Sequence, residues 1–197
     1  MALLHFWKTN RDVVLTQTIH QVVSNAGDGN LRDGSDASRE FRAFLRLAPR
    51  ESLFAYARQC LENAFSKCGC VLQDVVNELD RRLDFDVEDG LYQGKQNAIG
   101  FDGIWRSADE PETMVEVKTT DAYTVRLETA NQYKANLIAA GRVSKSTSIL
   151  FVVGREDTGA LEAQVRGSRY AWDIRLISVE RLIKLVQIAE NRTTLQL

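Results

Sequence analysis

The sequence predicts an α/β fold: helices come first, and a mixed sheet flanked by helices follows. Three observations predict it. Apolar residues recur at helical spacing through the first third of the chain. From Val71 onward, helical stripes alternate with short runs of strand character. One of those runs, Ser148-Ile-Leu-Phe-Val-Val-Gly154, is continuously apolar, the mark of a strand buried on both faces. The chain has 197 residues, enough for one domain with a full core and a small appendage. We place a helical N-terminal extension at residues 1–70, for dimerisation or substrate contact, and the α/β core at residues 71–197.

The elements follow in order. Residues from about Asp12 to Val23 read as one helix. Asn25 to Asp36 is rich in Gly, Asn and Asp with almost nothing to bury, and reads as a mobile linker. It lacks the terminal glutamate of a twelve-residue calcium loop. Helices are expected at Ser38–Leu47 and Ser52–Cys68, divided by Pro49. An amphipathic helix runs from Val71 to Leu83, with Glu78 at the margin of its apolar face. Leu83 to Val87 alternates like a strand, and Glu88-Asp89-Gly90 is a turn signal. Leu91 to Gly100 is rich in glycines and amides that would let a backbone or a phosphate come close.

Two short strands follow, Gly100-Phe-Asp-Gly-Ile-Trp105 and Met114-Val-Glu-Val-Lys-Thr119, joined by a polar hairpin loop. Side chains alternate along a strand, so Glu116 and Lys118 share one face while Val115 and Val117 anchor the other. Thr119 to Tyr123 is a polar exit. Leu127–Ala140 is a helix ended by Gly141, with Leu127, Ala130, Tyr133, Leu137 and Ile138 inward and with Gln132 and Lys134 on it. A short helix is expected at Ala160–Val165 and a strand at Ile174–Ile177. Ser178 caps a last helix, Val179–Ala189, and a polar tail runs to Leu197. The loop Arg166 to Asp173 carries two arginines and two aromatics, a composition that suits phosphate and base contacts and equally a packed loop at a sheet edge.

Composition narrows the class. No apolar run approaches a membrane span and the start is no signal peptide, so the cytoplasm is the expected place. Cys60, Cys68 and Cys70 lack the spacing of a zinc site and read as reduced thiols. The net charge of −2 excludes binding of nucleic acid through bulk charge, but not through a local basic surface. Positive charge is denser late in the chain, at Arg142, Lys145, Arg155, Arg166, Arg169 and Arg175.

Asp102 beside Glu116 makes two carboxylates, hard oxygen ligands that suit Mg²⁺, with the Lys118 ammonium next to them. A metal and a lysine at one spot suit the attack of water on a phosphodiester. Asp102 followed by Glu116-Val117-Lys118 resembles the D…ExK signature of the PD-(D/E)xK, or restriction-endonuclease-like, nuclease superfamily. Phe101 stands where the nominal motif has proline, a position that varies in the superfamily. The resemblance covers roughly Val71 to Gly154, where the element order matches the superfamily's α-β-β-β-α-β core.

The resemblance implies a metal-dependent endodeoxyribonuclease, most like type II restriction enzymes and related DNA-defence proteins. Asp102, Glu116 and Lys118 would be catalytic. Mg²⁺, with Mn²⁺ as a substitute, would be held by Asp102, Glu116, the Val117 carbonyl and Glu78, with Glu62 a poorer rival for the last. Gln132 would help orient the water or a phosphate. DNA is the implied substrate, and a homodimer, a partner subunit or a larger defence complex the implied assembly. Two other readings stand beside it. One is an inactive nucleic-acid-binding or assembly module of the same fold, against which the complete triad argues. The other is a surface ion pair between Glu116 and Lys118 in an unrelated α/β domain, against which the element order argues.

Overall fold

A computed structural model describes residues 2–93, 99–119 and 124–194. The chain divides into two compact units, Met1–Glu78 and Leu79–Leu197. The first unit holds α1 (Leu3–Thr9), α2 (Arg11–Leu15), α3 (Ile19–Ser24), α4 (Asp36–Leu47), α5 (Arg50–Glu62) and the part of α6 (Cys68–Arg81) up to Glu78. Among the described residues no helix is long and apolar enough to cross a membrane.

Three expectations for this unit are corrected. The single helix expected over Asp12–Val23 is two, α2 and α3. Thr18 adopts an extended backbone and closes a reciprocal capping box with Gln21, which starts a new helix. The expected linker from Asn25 to Asp36 is a packed loop. Leu31 is buried in it, Gly27 N–H donates to Glu40 at 2.8 Å, and Arg32 N–H donates to Ser38 Oγ at 3.0 Å. Gly27 has a φ of +52°, and a Cβ there would lie 2.8 Å from the Ala37 nitrogen, so only glycine seats α4 against the loop. The amphipathic helix α6 begins at Cys68 and is buried on all sides from Val71 to Asp80. One of its buried polar residues is paired across the unit: Arg42 Nε donates to Asp74 Oδ1 at 2.9 Å. Cys60, Cys68 and Cys70 remain thiols.

The second unit continues with β1 (Asp86–Asp89), β2 (Gly103–Arg106), β3 (Thr113–Lys118), α7 (Leu127–Ala139), β4 (Ser148–Val153), α8 (Gly159–Arg166), β5 (Ile174–Ser178) and α9 (Val179–Thr194). The α/β fold is as expected: N-terminal helices, then a five-stranded mixed sheet in the order β1-β2-β3-β4-β5. The β1–β2 and β2–β3 pairs are antiparallel, and the β3–β4 and β4–β5 pairs are parallel. The parallel pairs follow from the helices: α7 and α8 return the chain to the same end of the sheet before each next strand.

Strand β1 lies three residues later than the alternation of Leu83–Val87 suggests. Asp84 takes a φ of +64°, so the chain turns there and becomes extended only at Asp86. Glu88 and Asp89 therefore belong to the strand and not to a turn. Glu88 pairs with Arg106 at 2.9 Å and also with Arg142, and Asp89 pairs with Arg81 at 2.9 Å. One core lies between the sheet face of Ile104, Met114, Ile149, Phe151 and Ile174 and the inward residues Leu127, Ala130, Leu137, Leu161 and Val165 of α7 and α8. Ser178 Oγ accepts from Arg181 N–H at 3.2 Å and caps α9, which runs to Thr194, five residues past the expected end.

The segment entering β2 is held by a close backbone approach. Gly90 N–H donates to the Asp102 carbonyl at 3.0 Å, and a Cβ on Gly90 would lie 2.0 Å from the Phe101 carbonyl oxygen. Gly90→Ala is expected to destabilise the protein by roughly 2 kcal/mol or more, because backbone must move to admit the methyl. Urea unfolding checks this, and an unchanged midpoint would refute the contact.

Asp80 is a further anomaly. It is 1% exposed, and its Oδ2 has no hydrogen-bond partner among the described residues. Burial pushes its carboxyl up to about 8, against the opposing charge of Arg81. A raised carboxyl binds its proton more tightly in the folded state, so stability falls as pH climbs from the ordinary carboxylate range to about 8. Asp80→Asn should therefore flatten the pH dependence and melt higher than wild type at about pH 8, with a gain of roughly 1–3 kcal/mol that shrinks towards about pH 5. Thermal melts across that range decide it.

Candidate functional site

Strand β3 is the middle of the sheet and the place where pairing changes from antiparallel to parallel. Its β2 ladder runs only from Trp105↔Thr113 to Gly103↔Val115. Its β4 ladder continues through Glu116↔Phe151, Val117↔Val152 and Lys118↔Val153. Among the described residues the last three of β3 therefore have a strand on one side only. Asp102 occupies the other side. Its N–H donates to the Val115 carbonyl at 2.9 Å, so Asp102 and Gly103 both face Val115, the two-against-one arrangement of a bulge. Its side chain turns along β3, and Oδ2 accepts the Val117 N–H at 2.6 Å. A backbone donor that has run out of strand is satisfied by a carboxylate. Asp102 thus sits in the bend just before β2 and not on the strand, as the alternation suggested.

The two faces of β3 divide as expected. Val115 and Val117 are buried on one. On the other, Met114 is in the core, Glu116 is buried at 8% exposure, and the Lys118 side chain reaches 37% exposure at the strand end. Lys118 Nζ donates to Glu116 Oε2 at 2.7 Å. Within a strand the N–H and C=O of one residue point to the same side. Lys118 C=O accepts from Gly154 on the β4 side, and Val117 N–H points to Asp102, so the Val117 carbonyl faces the Asp102 side.

The charges are coupled. Burial, then the Glu116 charge, push the Asp102 carboxyl up to about 7, against the hydrogen bond from Val117 and the charge of Lys118. For Lys118, burial draws the ammonium down. The Glu116 charge and hydrogen bond, then Asp102 and Tyr133, outweigh it, and the net shift is upward. Lys118 is therefore a cation at neutral pH. Two carboxylates near enough to raise one of them fit a hard cation, which would relieve their repulsion. Among the described residues no three His, Cys, Asp or Glu side chains converge as metal ligands. A cation here would rest on Asp102, Glu116 and the Val117 carbonyl, and Mg²⁺, which keeps several of its waters, suits so few protein ligands.

A cleft of about 410 Å³ opens over the strand end, lined by Glu116, Lys118 and Phe151 from the sheet and by Arg126, Thr129 and Tyr133 from α7 and its start. Tyr133 lies over Gly100, where a Cβ would come within 2.9 Å of its ring, so the lead-in to Asp102 passes beneath Tyr133. Gln132 does not join the site: it is exposed and donates to Asn136 on its own helix. Helical geometry turns its neighbour Tyr133 to the cleft instead. Lys134 is buried and pairs with Asp173 at 3.2 Å. Arg126, Thr129 and Tyr133 are the lining residues that sequence reasoning missed as site residues. The available signal was the inward stripe of α7, which already held Tyr133; Thr129, one turn earlier, is exposed at its margin.

The other candidates are on other elements. Glu78 is buried on α6 in the first unit, and Glu62 ends α5 in the same unit. In the loop after α8, Tyr170 is buried with the Arg169 guanidinium 4.9 Å over its ring, while Trp172 is 89% exposed. That loop feeds the start of β5, at the opposite end of the parallel strands from Lys118. The amide-rich stretch at 94–98, the polar exit at 120–123 and the tail at 195–197 lie outside the described residues.

No protein-family model matches the chain, and no curated protein is detectably similar to it in sequence.

The raised Asp102 carboxyl sets a pH dependence in metal-free protein. The fold favours its protonated form, so this contribution to stability is lost as pH rises from the ordinary carboxylate range through about 7. Asp102→Asn keeps an oxygen for Val117 N–H and removes the charge. In EDTA it should melt higher than wild type at about pH 8 and close to it at about pH 5. Mg²⁺ should raise the wild-type melting temperature at the higher pH and leave the variant unmoved. Parallel curves for the two proteins would contradict the coupling.

Proposed function

We propose that residues 71–197 form the core of a divalent-metal-dependent endonuclease that hydrolyses phosphodiester bonds in DNA, a member of the PD-(D/E)xK superfamily with a role of the restriction or DNA-defence kind. One observation carries the reading: the Asp102 carboxylate is bonded to the central amide of Glu116-Val117-Lys118, at the carboxyl end of the middle strand and beside an open cleft. Open α/β sheets bind ligands outside the carboxyl ends of their strands. The helix-strand-strand-strand-helix-strand order from α6 to β4 also agrees with that superfamily's core.

Asp102 and Glu116 would hold Mg²⁺ or Mn²⁺ together with the Val117 carbonyl. When bound, the cation supplies positive charge to the scissile phosphate and acidifies a coordinated water. The protein's own groups do the rest. Val117 N–H fixes the Asp102 rotamer, so the carboxylate needs no reorganisation on binding. Lys118 is already an ammonium and already tied to Glu116, which supports a role as donor to the water or to the phosphate oxygens as charge builds there, and not as the base. Water attacks phosphorus and gives up a proton to solvent, the bond to the leaving oxygen breaks, and that oxygen takes a proton from solvent water to leave as the hydroxyl. A duplex break needs two such sites, hence a homodimer or a partner subunit, acting in the cytoplasm.

Supercoiled plasmid and single-stranded DNA, incubated with Mg²⁺, Mn²⁺ or EDTA, test the reading. Cutting should require the metal. Asp102→Ala, Glu116→Ala and Lys118→Ala should each lower it by roughly a hundredfold or more, consistent with loss of a group aimed at the transition state, while their circular dichroism stays that of wild type. Activity surviving in all three would sink the assignment. No cutting on any DNA, with calorimetry showing no Mn²⁺ uptake, would leave the inactive module of the same fold.

A further inference from the structure

The cleft holds two cations, and one of them is engaged. Lys118 is paired with Glu116 at 2.7 Å. Arg126 is exposed on the same cleft, and no hydrogen bond, ion pair or ring contact involves its guanidinium among the described residues. Other arginines of this unit are used within the fold. Arg106 and Arg142 pair with Glu88, Arg142 also lies over Phe101, and Arg169 lies over Tyr170. Glu116 and Lys118 cancel, so Arg126 leaves the lining with a net positive charge.

Its backbone position is set in advance. Val125, just before it, is buried. Val125 N–H donates to Gln164 Oε1 at 3.0 Å, and Gln164 Nε2 donates to the Val125 carbonyl at 2.8 Å. The amide side chain from α8 thus does for Val125 what a neighbouring strand would do. Helix α7 begins at the residue after Arg126, and Thr129, one turn on, lines the same cleft. The backbone on both sides of Arg126 is thus fixed, which confines where its exposed guanidinium can reach. Its planar fork matches two phosphate oxygens at once.

We infer that Arg126, with the Thr129 hydroxyl, forms a phosphate-binding subsite on the α7 side of the cleft, receiving a phosphate of the substrate strand next to the one at Glu116 and Lys118. This rests on the nuclease reading for the identity of the strand. Arg126 is then a substrate-binding residue, and its contribution is the same in the ground and transition states.

The test is anisotropy of a fluorescein-labelled DNA duplex, titrated with full-length protein in Ca²⁺ from about 50 to about 200 mM salt, beside steady-state cleavage in Mg²⁺. Removing one phosphate contact should reduce the slope of log K against log salt by about 0.9. Arg126→Ala should show that reduction and weaken binding about tenfold, with KM raised alike and kcat within about threefold of wild type. Arg126→Lys should keep the slope. Arg126→Gln, which keeps the stem, gives the same reading if the alanine variant fails to fold. An unchanged slope and KM in a folded Arg126→Ala or Arg126→Gln overturns the subsite while cleavage by wild type still stands. An Arg126-dependent slope without cleavage by wild type upholds the subsite and removes the nuclease reading. No DNA binding by wild type overturns both.

Discussion

The hydrogen bond from Val117 N–H to Asp102 is the constraint on which the site depends. It exists because the sheet is uneven at one corner: β2 begins opposite Val115, while β3 runs on to Lys118 beside β4. An unpaired strand amide in a partly buried position has to find an acceptor. The nearest backbone has bulged away, so a side chain supplies it. The same bond that completes the sheet brings a carboxylate against Glu116.

The consequence is a partly buried electrostatic cluster. Two carboxylates and one ammonium lie within the reach of one another's charge, and burial first, then the Glu116 charge, push the Asp102 carboxyl up to about 7. The Lys118 pair with Glu116 offsets part of it.

The surrounding fold holds this corner rigid by close approaches. Gly90 abuts the Phe101 and Asp102 backbone, and Gly100 runs under Tyr133, so the segment carrying Asp102 is gripped from two sides. On the far wall, Gln164 clamps the entry to α7. The parallel strands β3 and β4 place the ends of Glu116-Val117-Lys118 and Phe151-Val152-Val153 at the same level, which sets the floor of the cleft. A net charge of −2 leaves the protein without a bulk attraction for polyanions, so any such binding must be local, at groups like Arg126 and Lys118.

The sequence by itself determined the fold class, the order of the elements and the grouping of Glu116 and Lys118 on one strand face. Periodicity is a local property, and a strand's alternation needs no neighbour to be read. It also carried Asp102 as a partner for them, through its resemblance to a known motif. What lay beyond it was set by tertiary contacts. The break before Thr18, the burial of Leu31 in a glycine-rich loop and the displacement of β1 past Asp84 each turn on a cap, a contact or a left-handed residue that patterning does not weigh. The choice of Tyr133 over Gln132 depends on which side of α7 meets the sheet. The bond between Asp102 and Val117 joins residues 15 positions apart, through a bulge that has no sequence signal. Only the folded sheet decides where one strand ends and a side chain must take its place.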